Sequence, residues 1–456
     1  MTRLMRCPSP HSATLFWCDT RSVATFLLLV SLGVLQAAEI SDPSSHRGGP
    51  QRQASDGSPA PRNLVVTWRA GLTLDHDGGV FSDDLALFLS SPLVHQGWVY
   101  AATTTLDVPN NLGAIICLDA ASGTRRWSLD AVEGSPLRGI VSSPVLSKDG
   151  NYLVIGEGLH TDEHSRVICL DPSTGKVRWS RRLETHIEAT PCISGDLVIA
   201  CAGAIEDSVT RQAQGSIGEV VALSLQTGAV QWRHPVVDPE FTVTPDGDGF
   251  LAVSCLNGQA LLALDAAGNE RWKVDLPASA STPVSLSDEL MVVGSGTCDF
   301  VRRPARPQGA IHAFNKAGEL RWQTALDDTP FGPLAIADGT VVAGLLSGHL
   351  VCLDATTGAK RWDTQISVNA AILGGVAITE QTVYAVTDTD VVVVIDLLSG
   401  KIRERHALAL PQRRDQAGRG WSGPVVAQGA VFVATAHGGL VRLDARKRTG
   451  NSSGSQ

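Results

Sequence analysis

The stretch Cys169-Leu-Asp-Pro-Ser-Thr-Gly-Lys-Val-Arg-Trp179 decides the fold, because the chain repeats it. Cys117 to Trp127 and Cys352 to Trp362 have the same form, and Ala222 to Trp232 differs only in carrying Ser224 at the Asp place. Ala263 to Trp272 and Ala313 to Trp322 carry a turn one residue shorter, built on Asp265 and Asn315. A seventh copy, Ile395-Asp-Leu-Leu-Ser-Gly-Lys-Ile-Arg-Glu404, has Glu404 where Trp is expected. The copies recur every 40 to 53 residues. That spacing marks an array of small units, none of which buries its faces alone.

Each unit has the same internal order. A short apolar run follows a small residue and Pro, as in Ser143-Pro-Val-Leu and Thr190-Pro-Cys-Ile. A turn such as Gly195-Asp196 leads to a β-rich run, then to a third run ending at the Asp, then to the run with the Trp. Such runs divided by Gly, Asp and Asn predict four antiparallel strands. Asp119, Asp171, Asp354 and Asp396 are placed to accept hydrogen bonds from amides just downstream. Gly123, Gly175, Gly358 and Gly400 supply the positive φ of the tight turn. The third run is apolar at successive positions, as in Ile115-Ile116-Cys117-Leu118, which describes a sheet buried on both faces. Radially stacked blades give that burial.

Seven units run from about Ser90 to Glu404, and an eighth begins at Ser422-Gly-Pro-Val-Val but lacks its Trp strand. Asn63-Leu-Val-Val-Thr-Trp68-Arg69 supplies the missing strand. The expected fold is all-β: an eight-bladed β-propeller over residues 63–445 with four-stranded antiparallel blades. The N-terminal strand completes the last blade and closes the ring, which leaves no long free edge. Trp68, Trp127, Trp179, Trp232, Trp272, Trp322 and Trp362 are expected as wedges between blades, each N–H meeting a backbone carbonyl. By the same pattern, Glu404→Trp is expected to stabilise the ring.

The Asp-x-x-[Ser/Thr]-Gly-x-x-x-Trp repeat resembles the pyrroloquinoline-quinone (PQQ) type propeller repeat, from Asn63 to about Asp444. That superfamily includes BamB-like subunits of the outer-membrane-protein assembly machinery and the quinoprotein dehydrogenases. The resemblance implies a propeller and two functions, an assembly scaffold or a PQQ- and Ca²⁺-dependent oxidoreductase. The quinoprotein relatives usually carry two adjacent Cys against the cofactor. This chain has no Cys-Cys pair and no Cys-x-x-Cys-His for a covalent haem. No cofactor is therefore expected, with PQQ and Ca²⁺ as the alternative.

Residues 1–38 read as a secretory signal: Arg3, Arg6 and Arg21, then the apolar Val23–Leu35, then Ala37 and Ala38. The apolar stretch is short for a membrane span, which needs about 20 residues. No Cys follows it, so the lipid-anchor signal of the assembly-factor relatives is missing. Export to the periplasm or beyond is expected, as a monomer. Residues 39–62 are rich in Ser, Pro, Gly and Gln and read as a disordered linker, and residues 446–456 as a disordered tail. The net charge of −9 argues against nucleic acid as a partner. Cys117, Cys169 and Cys352 fall at the same repeat position in separate blades and read as small buried strand residues. Cys192 and Cys201 share a hairpin in which Cys192 is expected near Val198, without a disulfide.

No catalytic residues or metal ligands are assigned from the sequence. His160 and His164 in Glu157-Gly-Leu-His160-Thr-Asp-Glu-His164 are metal-capable side chains on a loop whose spacing sets no geometry. Asp75-His-Asp77-Gly-Gly79, with Asp83 and Asp84, lacks the bidentate Glu of a Ca²⁺ loop. Arg302, Arg303, Arg306, Arg413, Arg414 and Arg419 form a local basic group on an acidic chain. Loops 103–113, 157–166, 203–218 and 296–309 are long and open on one face, with apolar Leu159, Ile205 and Phe300 available to a protein partner. Trp98 and Trp421 have no assigned place.

Overall fold

The computed structural model describes residues 42–70, 86–105, 111–204, 218–247, 249–298, 304–411 and 419–446. Within these the regular elements are strands, and no helix is long and apolar enough to cross a membrane. Eight sheets carry the expected unit of four antiparallel strands. Blade two is Val145–Leu146, Leu153–Gly156, Arg166–Leu170 and Val177–Arg182, from the channel outward. Blade eight is Val425–Ala427, Ala430–Ala434 and Leu440–Ala445, completed by the N-terminal Leu64–Ala70. The ring thus closes by sheet pairing between the two ends of the propeller.

Buried apolar residues collect in eight layers, one between each pair of neighbouring blades. The repeated phrase explains how each layer is capped. Trp322 donates its indole N–H to the carbonyl of Ala355 in the next blade at 2.8 Å. Trp68, Trp127, Trp179, Trp232, Trp272 and Trp362 make the same bond at 2.7–3.1 Å, to Ala120, Pro172, Leu225, Ala266, Lys316 and Leu397. Each acceptor directly follows the turn's Asp, or its Ser or Asn equivalent. The turn's Gly then lies flat against the indole. A Cβ on Gly358 would stand 2.5 Å from Trp322, with φ at +71°. The Asp holds the turn from inside: Asp354 accepts from Thr356 N at 3.1 Å and Thr357 N at 2.9 Å. Asp119, Asp171 and Asp396 accept from the matching amides. One motif therefore serves two blades, its turn receiving the Trp of the blade before.

The boundary between blades seven and eight is built differently. Glu404 accepts hydrogen bonds from the amides of Asn63 at 2.7 Å and Leu64 at 3.0 Å, and pairs with His406 at 2.9 Å. Tyr384, buried in the same layer, donates to the carbonyl of Pro61 at 2.6 Å. The expectation that Trp at position 404 would stabilise the ring is corrected by this geometry. The site has been shaped around the carboxylate, which holds the chain where it enters the closing strand.

The linker assignment for residues 39–62 also needs correction over its described part. Residues 43–54 form a belt inside the channel. Carbonyls of Pro43, Ser44, Pro50, Gln51, Gln53 and Ala54 accept from the amides of Leu146, Ile193, Leu286, Ile336, Ile378 and Val426 at 2.8–3.0 Å. These donors lie on the innermost strands of blades two, three, five, six, seven and eight, so the belt follows the ring in order. An innermost strand otherwise presents unpaired amides to the channel, at a cost when buried. Arg52 reaches across to Thr244 of blade four and donates to Val284 O at 2.9 Å. Arg47 donates to Val376 O at 2.5 Å and Pro424 O at 3.0 Å. Burial pulls the Arg52 guanidinium down to about 10 and that of Arg47 to about 9, so both stay charged at neutral pH. Composition marked this segment as disordered; carbonyl acceptors and two buried cations order it.

The described cysteines are free and buried, and Cys192 pairs with Ile199, one residue from the expected Val198. Arg126 stacks its guanidinium 4.0 Å over Trp98.

Candidate functional site

The connections between blades converge on one mouth of the channel and enclose a cavity of about 540 Å³. Every inter-blade connection contributes to its wall, from Leu89–Ser91 before blade one to Trp421 before blade eight, and His46 of the belt lines it as well. Ligand sites run about 300–1,000 Å³ and combine apolar walls with a few converging polar groups. Here the apolar part is Phe241, Phe331, Trp421, Leu256 and Leu373. Phe331 and Trp421 meet edge to face with ring centres 5.9 Å apart.

The polar part gathers on the side of blades two and three. His160 lies in the blade-two loop, His186 and Glu188 in the connection to blade three, and Glu240 in the connection to blade four. His160 Nε2 stands 3.4 Å from Glu188, which also accepts from the His160 amide at 2.7 Å. His186, fully buried, has its Nε2 3.0 Å from Glu240. The two imidazole centres are 5.5 Å apart, edge to face. Gly203 makes room for this pair, since a Cβ there would lie 2.0 Å from Glu240 and 2.3 Å from His186. Burial, then the neighbouring Asp238, pushes the Glu240 carboxyl well above the ordinary carboxylate value. His46 is held well below the ordinary imidazole value by burial, then by Arg52 and Arg47, and is neutral at neutral pH.

The sequence-derived candidates separate in space. His164 faces Glu184 at 3.9 Å and not His160. Glu157 belongs to a buried ion pair with Arg166 at 2.5 Å and accepts from Arg138 N at 3.0 Å, so it pins the loop's base. Leu159 is half-buried. Arg419 pairs with Asp388 at 3.4 Å, and Arg306 is exposed. Asp75, Asp77, Gly79, Asp83, Asp84, Ile205, Phe300, Arg302, Arg303, Arg413 and Arg414 lie outside the described residues, as do the tips of three of the four long loops. His186, Glu188 and Glu240 escaped the sequence reading because they stand in connections between blades, and the partners they meet lie in other segments. The available signal was a carboxylate just ahead of a Thr-Pro inner strand, as in Glu188-Ala-Thr190-Pro.

A calcium-bound quinone does not suit this cavity. Ca²⁺ takes 6–8 oxygen ligands, whereas the acidic groups of the wall are Glu188 and Glu240, each set beside an imidazole nitrogen.

Comparison with known proteins places the chain. A family model described as outer membrane protein assembly factor BamB matches residues 113–212, 216–370 and 257–452, well over half of the sequence. The BamB of Yersinia pestis is 24% identical over 288 residues, covering 61% of this chain and 69% of its own length. The crystal structure of BamB from Moraxella catarrhalis superimposes with a TM-score of 0.57 at 17% identity, over 85% of this chain and 99% of that one. The quinohemoprotein alcohol dehydrogenase of Comamonas testosteroni shares the fold at a TM-score of 0.55 and 12% identity, over 92% of this chain and 83% of that one. The repeat, the closed eight-bladed ring and the family match agree, and the chain belongs to the PQQ-type propeller family of outer membrane protein assembly factor BamB.

Proposed function

We propose that this chain is a non-catalytic envelope scaffold that binds a protein partner during outer-membrane protein assembly, after export directed by residues 1–38. The observation that carries the reading is the cavity at the channel mouth, where Phe241, Phe331 and Trp421 stand half-buried on a rigid ring. Aromatic anchors clustered in a concave surface are among the residues that dominate protein interfaces. The relatives named as assembly factors support the role, at low identity. Ring closure by strand pairing and the channel belt both favour a platform whose loops, not its sheets, meet the partner. The alternative, a PQQ- and Ca²⁺-dependent oxidoreductase, rests on likeness of fold and on a 22% match over 33% of this chain to a quinoprotein alcohol dehydrogenase of Pseudomonas putida, 23% of that protein's length.

The test is genetic depletion with complementation. Loss of the chain is expected to lower the amount of β-barrel protein in the host's outer membrane. The intact chain restores it, and a Phe241→Ala/Trp421→Ala variant of unchanged melting temperature does not. Full rescue by that variant removes the cavity from the function, and unchanged β-barrel levels on depletion remove the assembly role.

A further inference from the structure

The imidazole and carboxylate group on the cavity wall goes beyond partner binding. A ligand atom from each of His160, His186 and Glu188 lies within 4.8 Å of the others. Ligands around a tetrahedral ion bound at about 2.0–2.1 Å stand about 3.3 Å apart, so modest side-chain rotation closes the set. The imidazoles are half-satisfied in a particular way. Each has Nε2 against a carboxylate, His160 with Glu188 and His186 with Glu240. Each has its Nδ1 buried with no hydrogen-bond partner. His186 makes this most pointed, since its side chain is 0% exposed. Glu240, in taking the His186 ring N–H, fixes that tautomer and leaves the Nδ1 lone pair for a metal.

We propose that His160, His186 and Glu188 hold a divalent transition ion of the Zn²⁺ class, with Glu240 as a positioning residue for the His186 ring. Mixed imidazole and carboxylate donors suit Zn²⁺ and its neighbours, whereas Ca²⁺ and Mg²⁺ prefer all-oxygen sets. Glu188 brings a carboxylate donor to the two imidazoles, and Glu240 stands against the His186 ring. His160 and Glu188 line the cavity, so the ion keeps an open side toward it. A bound ion would tie the blade-two loop to the blade-three connection, stiffening the rim offered to a partner.

The experiment titrates the full-length chain with Zn²⁺ by calorimetry and with Co²⁺ by visible absorption, using Ca²⁺ as the comparison ion. One equivalent of Zn²⁺ and a four- or five-coordinate Co²⁺ band are expected. His160→Ala, on the partly exposed ligand, is expected to lower affinity on the order of 100-fold. His164→Ala, four residues along the same loop, is expected to change nothing. Glu240→Gln is expected to weaken binding about 10- to 100-fold while the Co²⁺ band persists, as for an outer-shell group. Absence of Zn²⁺ binding, or binding that survives His160→Ala unchanged, overturns the site and leaves two hydrogen-bonded His–Glu pairs. Neither result bears on partner capture, which is read separately.

Discussion

Removing the channel belt gives a site-resolved test of how this ring is held. In a chain beginning at Arg62, the closing strand Leu64–Ala70 stays while Pro43 to Ala54 are gone. Six innermost-strand amides then lose their acceptors. An amide left without its partner in a buried setting costs about 1–3 kcal/mol. Local opening at each should therefore become about 5- to 150-fold more frequent. Global stability is a poorer readout, because ordering the belt itself costs about 1–2 kcal/mol per residue. Left-handed backbone at Arg47, Arg52 and Ala54 adds to that cost. The assay is amide hydrogen exchange, read at Leu146, Ile193, Leu286, Ile336, Ile378 and Val426. Val154 and Ile168, inside the blade-two ladder, serve as internal references. Faster exchange at the six alone is expected. Unchanged exchange at the six, or equal acceleration at the references, refutes the belt as the acceptor of these amides.

Other outcomes follow from the same packing. Glu404→Trp and Glu404→Gln should both destabilise, the latter by about 1–2 kcal/mol as two amide bonds lose a charged acceptor; a higher melting temperature for the Trp variant contradicts this. Burial alone would raise the Glu404 carboxyl, but the amides of Leu64 and Asn63, with His406, outweigh it and hold it below its ordinary 4.5. A depressed carboxylate contributes stability that is present above 4.5 and lost as the pH falls below it. Acid unfolding of Glu404→Gln should accordingly show a weaker pH dependence below 4.5 than the parent. Gly358→Ala should cost clearly more than Gly339→Ala. Both have positive φ, but only Gly358 faces an indole while Gly339 faces open space; equal thermal shifts would show that Trp322 yields freely.

The propeller was legible because its determinants repeat. One phrase encodes the turn, its glycine and the wedge, and seven copies overrule any local ambiguity. Glu404 was legible as a departure but not in its sense, since its partners Asn63 and Leu64 lie more than 300 positions away. The belt was hidden for a different reason. Backbone carbonyls order it, and every residue has one, so a Ser-, Pro- and Gly-rich composition reads as linker. The candidate site was half visible. His160 stood out beside His164, but loop spacing does not set geometry, and the fold instead brings it to His186 and Glu188 from another connection.

The account's central claim, that a protein partner docks on the cavity-bearing mouth of the ring, is tested most directly by site-specific photocrosslinking in the host envelope. Photoreactive residues would be placed at Phe331 or Trp421 on the cavity wall, and at exposed Thr357 in the turn at the opposite ends of the strands. A discrete protein adduct from positions 331 and 421, absent from 357, is the result the account requires. Adducts from Thr357 with none from the cavity wall would contradict it.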